Sequence, residues 1–141
     1  MDYKFKKCME ESKLVKIKPD KGMINKELKG AEYDISRAKN SITEGDYKWA
    51  IIQSYYSMFH AVKALVLAKG YREKTHYCLL VAFKNLYVDT NLIEQRFLET
   101  FEGSMNLRQA ADYGLTYSKE SAEEMVDSAG EFLKKVKEIL S

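Results

Sequence analysis

Gln53, Ser57 and His60 are four and three residues apart, the spacing that puts side chains on one stripe of a helix. Histidine exchanges a proton near neutral pH, so such a stripe is a first place to look for chemistry. The helix that carries it is apolar almost all the way round. Between Trp49 and Ala68 the main polar interruptions are Gln53, Ser54, Ser57, His60 and Lys63. The stripe therefore either satisfies itself inside the protein or lines a groove. The second histidine, His76, follows Thr75, a good helix N-cap, and Arg72 stands four positions before it. Arg108 and Asp112 are one helical turn apart, the spacing of an ordinary ion pair. Tyr55 and Tyr56 read as core residues whose hydroxyls find partners. His60, His76, Cys8 and Cys78 match no metal-ligand spacing, so neither a metal nor a cofactor is expected.

The elements that must position these residues are helical. A helix as apolar as Tyr47–Lys69 has to be surrounded by others, which makes it the centre of a bundle. It is stopped by Gly70 and preceded by Asp46, a fitting N-cap. Before it, Ile24, Leu28, Ala31, Ile35, Ala38 and Ile42 alternate steps of four and three, a seam for a second helix with Asp20 as its N-cap. A short helix over about Tyr3–Ile17 precedes Pro19. After the centre, helices are predicted over about His76–Tyr87 and from Asp89 or Thr90 to about Ala111. Gly114 is expected to supply a left-handed turn. Ser118 caps a last helix with Ala122, Met125, Val126, Ala129, Phe132, Leu133 and Val136 on one face. Nothing alternates with period two, so no sheet is expected. Short connections make this an all-α, up-and-down antiparallel bundle.

The chain has 141 residues, enough for one domain with its own core. The reading is a single domain over 1–141, with residues 1–20 a short basic helix and linker. Formal net charge is +2, yet residues 1–30 hold nine Lys against five acids. That basic limb could touch nucleic acid or an acidic partner, or be ordinary solvated surface. The N-terminus lacks the apolar stretch of a secretory leader, and no apolar run is long enough to span a bilayer. Two cysteines are too few for a disulfide framework, and a reducing cytoplasm is the simplest home.

The run SYYSMFHAVKALVLAKGYREKTH (54–76), followed by LRQAADYG (107–114), resembles the HEPN domain family, in particular its small stand-alone members. The segments YDISRAKNSITEGDYKWAIIQ and YSKESAEEMVDSAGEFLKKVKEIL fit the family's second and last helices, so the resemblance covers essentially the whole chain. It implies a bundle of about five helices, usually a homodimer, and pairing with a minimal nucleotidyltransferase in a toxin–antitoxin module. Active members of that family cleave RNA without metal, using an Arg followed after four to six residues by a His. Arg108 matches the Arg. The window for the His, positions 113–115, holds Tyr113, Gly114 and Leu115.

Tyr113 thus stands where the family places its proton-transfer group, and an unperturbed phenol titrates at about pH 10. Three functions follow from the resemblance. The first is an RNA- or nucleotide-binding module, with Arg108, Asp112, Tyr113, Ser57 and Gln53 as contacts. The second is a metal-independent endoribonuclease toxin with Arg108 and Tyr113 in catalysis and His60 or His76 supplying a missing proton. The third is a helical scaffold for the nucleotidyltransferase.

Overall fold

The computed structural model describes residues 1–141. In chain order it contains α1 (Tyr3–Glu10), β1 (Leu14–Lys16), α2 (Lys21–Thr43), α3 (Tyr47–Ala68), β2 (Tyr71–Glu73), α4 (His76–Phe83), a π-helical turn (Lys84–Val88), α5 (Gln95–Asp112) and α6 (Lys119–Leu140). Helix α3 is the axis, because its sequence leaves it almost no polar face. Ala50, Ile51, Tyr55, Met58, Val62, Leu65 and Val66 are all buried, and α2, α6 and α5 pack around it. One hydrophobic core runs from Phe5 to Val136. No helix is long and apolar enough to cross a membrane.

Local signals set most helix starts. The side chains of Asp20, Asp46, Thr75 and Ser118 each accept from backbone N–H groups at the starts of α2, α3, α4 and α6. Ser118 and Ser121 bond reciprocally as a capping box. Gly45 and Gly70 take positive φ, 76° and 84°, at the two ends of α3, where a Cβ would be strained.

Several expectations are corrected. The chain does contain a small sheet: β1 and β2 pair antiparallel, Leu14 opposite Glu73 and Lys16 opposite Tyr71. Three-residue strands are too short to show a period. The first helix stops at Glu10 rather than near Ile17, with Ser12 in the left-handed region at φ 56°. Helix α5 starts at Gln95, not near Asp89, because the expected caps are committed backwards. The Asp89 carboxylate accepts from Lys84 Nζ, and Thr90 donates to Leu86 O. After α5 the left-handed residue is Leu115 (φ 52°), not Gly114. Gly114 is needed for a close approach instead, since a Cβ there would lie 3.0 Å from Ala110 O.

Cys8 and Cys78, whose spacing suggests no joint role, form a disulfide between α1 and α4 with Cα atoms 5.9 Å apart. The bond depends on α1 lying against α4, a tertiary contact that spacing does not encode.

Candidate functional site

Helix α5 buries Phe97, Phe101, Ser104 and Ala111. Steps of four, three, four and three along that seam pass through Arg108, so an arginine occupies a core register at the end of the helix. A charge there costs free energy unless it is paired or used. Its side chain is 18% exposed, and its Nη2 lies 3.6 Å from the Asp112 carboxylate. Nη2 also donates to Tyr56 Oη on α3 at 3.1 Å. The Nε–H is buried and has no partner. The guanidinium carbon is 5.8, 5.6 and 5.7 Å from the ring centres of Tyr55, Tyr56 and Tyr113, within cation–π range.

Tyr55 is the inner wall of this cluster. It is fully buried, its ring stacked parallel to Phe101 at 6.1 Å. Its hydroxyl meets His76 Nδ1 at 2.7 Å, and the His76 ring lies 4.5 Å from Phe59. Burial pushes the Tyr55 phenol pKa well above its usual range, with Tyr56 adding to the effect and Arg108 opposing it. Burial lowers the His76 pKa, and the charges of Arg108 and Lys63 act in the same direction. In this contact either the phenol O–H or an imidazole N–H can donate, and a phenol donor leaves the imidazole proton on Nε2. Tyr113, just past the end of α5, is 75% exposed, and Leu115 and Tyr117 in the following turn are exposed as well.

The Gln53–Ser57–His60 stripe faces α2. Ser57 is buried and donates to Ala31 O at 2.8 Å. The Gln53 amide meets Ser41 Oγ at 2.7 Å, and its nitrogen can donate to the carbonyls of Arg37 and Trp49. His60 sits between two carboxylates, Nδ1 2.6 Å from Glu27 and Nε2 3.6 Å from Asp34. For Glu27, burial would raise the pKa, but the His60 hydrogen bond and Lys63 outweigh it and hold it low. Asp34 is raised by burial, with His60 opposing. No hydrogen bond or ion pair links these three residues to Arg108, Asp112 or Tyr113. The structure thus brings together Arg108, Asp112 and Tyr113, and places Gln53, Ser57 and His60 in a different contact.

Tyr55, Tyr56 and His76 are the members of the cluster that spacing alone does not collect. One signal in the sequence points to it, the arginine at a core position of the α5 seam. No three His, Cys, Asp or Glu side chains converge as metal ligands. Cavities of about 430 Å³ beside Val88–Gln95 and about 410 Å³ beside Cys8 and Cys78 do not include Arg108. At the end of α5 the partly exposed Arg108 and the exposed Tyr113 together form a ledge.

A helical bundle with an arginine ledge at the end of its fifth helix is the class of protein defined by these observations. The chain belongs to the HEPN domain family, whose pattern matches residues 24–139. It is 34% identical over 119 residues to a Methanocaldococcus jannaschii protein named "Putative toxin MJ0142", covering 83% of this chain and 81% of that protein. A second protein of that organism, "Putative toxin MJ0605", is 30% identical over 129 residues, with 85% and 96% covered. The crystal structure of TT1696 from Thermus thermophilus has the same fold, with a TM-score of 0.71 at 23% identity, covering 82% of this chain and 97% of that one.

Proposed function

We propose that this protein is a toxin-like HEPN protein that binds single-stranded RNA across the Arg108 ledge. The observation that carries the reading is Arg108 itself, a mostly buried guanidinium held by tyrosine rings, with one buried N–H unpartnered and one carboxylate no closer than 3.6 Å. Its Nη1 makes no hydrogen bond within the protein, so donors remain for a phosphate. Exposed Tyr113 offers a face on which a base can stack. The family's toxin–antitoxin pairing supports a two-protein module with a minimal nucleotidyltransferase as partner. Exposed Leu115 and Tyr117, in the turn that follows Tyr113, support a homodimer built around the ledge. The test is fluorescence anisotropy of a labelled single-stranded RNA at low salt. Wild type binds with an affinity that falls as salt rises, and Arg108→Ala loses about tenfold or more. Equal affinity in the two proteins removes Arg108 from the site.

A second reading is a metal-independent endoribonuclease. The observation that favours it is the imidazole of His76, which reaches the same Tyr55 ring as Arg108. It is tested by incubating a cellular RNA pool with wild type and Arg108→Ala in EDTA. Cleavage by wild type alone supports it, and no cleavage by either protein leaves the binding reading in place.

A further inference from the structure

The chain has two histidines, and their surroundings divide them. Both ring nitrogens of His60 face carboxylates. His76 uses only Nδ1, on the Tyr55 hydroxyl, and no protein group bonds its Nε2. Tyr55 stacks on Phe101 inside the core, where a phenylalanine would pack as well. The buried hydroxyl therefore has one evident task, to hold His76. Phe59 covers one face of the imidazole at 4.5 Å and limits its rotation. Arg108 and His76 approach the same ring, at 5.8 Å and 5.9 Å from its centre.

We propose that His76 is a ligand-contacting residue of the Arg108 ledge. Pinned through Nδ1 by Tyr55, it offers its Nε2–H to a phosphodiester oxygen of the bound RNA strand while Arg108 holds the charge. An uncharged donor adds a directed hydrogen bond without repelling the guanidinium. Tyr55 is the positioning residue, acting through His76. The inference rests on the reading of Arg108 as an RNA-binding residue.

With two histidines in the chain, 15N-histidine labelling gives a spectrum of two imidazoles. Free protein should show His76 protonated at Nε2, and a single-stranded RNA oligonucleotide should shift the His76 signals while His60 stays still. His76→Ala should weaken RNA affinity about tenfold, and His76→Gln, which keeps a donor, should recover most of it. Tyr55→Phe should turn the His76 signal into a tautomer mixture and weaken binding by a smaller factor. The wild-type titration needs no variant to fold. Arg108-dependent binding with unmoved His76 signals and full affinity in His76→Ala overturns this inference and leaves the RNA reading standing. No Arg108-dependent binding in wild type overturns both.

Discussion

Arg108 on α5 donates to the Tyr56 hydroxyl on α3 at 3.1 Å, and this contact fills a core register of the α5 seam with a charge rather than an apolar side chain. An apolar residue of similar length would fill that register without losing ion hydration.

Arg108→Met should therefore leave stability unchanged or raise it by about 1 kcal/mol, while removing RNA binding. Urea unfolding reads the first effect and anisotropy the second. A loss of about 2 kcal/mol or more would show that the arginine is there to hold the bundle together.

Ser57 behaves oppositely. Its hydroxyl spans from α3 to the Ala31 carbonyl of α2 inside the bundle. Ser57→Ala should cost about 1 kcal/mol in urea unfolding and leave RNA affinity as it was. A weakened affinity with stability intact would put the stripe in a groove after all.

The Cys8–Cys78 bond closes a loop with a sequence separation of 70 residues. On the chain-entropy account a loop of that size is worth about 4 kcal/mol. Cys8→Ser/Cys78→Ser, or wild type in dithiothreitol, should unfold at clearly lower denaturant than the oxidised protein. Identical midpoints would mean that the cross-link is absent in solution.

The His76 pKa is depressed by burial and by Arg108 and Lys63, so the unfolded chain takes up its proton at higher pH than the folded one. The sign follows: stability is present above the unfolded histidine value, about pH 6.5, and is lost as pH falls through the folded one. Unfolding midpoints measured from about pH 7.5 downward should fall in wild type and fall less in His76→Gln. Equal slopes in the two proteins would take His76 out of this balance.

The parts of this fold that are legible in the sequence are the ones encoded locally. Asp20, Asp46, Thr75 and Ser118 announce helix starts because capping needs only a few neighbouring residues. The apolar run of α3 announces the axis for the same reason. Some misreadings are local, as where Asp89 and Thr90 bond back to Lys84 and Leu86 instead of starting α5, but the larger ones depend on residues distant in sequence. Leu14 finds Glu73, Cys8 finds Cys78, and His76 finds Tyr55 only once the helices are stacked. The site shows the same division. Arg108, Asp112 and Tyr113 lie within one stretch and read as one group. Tyr56 is 52 residues from Arg108, and the polar stripe on α3 that looks like chemistry in the sequence is explained by its contact with α2.

The most direct measurement is photocrosslinking of thiouridine-containing single-stranded RNA to the protein, with the attached peptide mapped by mass spectrometry. Adducts are expected at Tyr113 and its neighbours, abolished in Arg108→Met. Adducts confined to the basic limb of residues 1–30, unchanged in that variant, would contradict it.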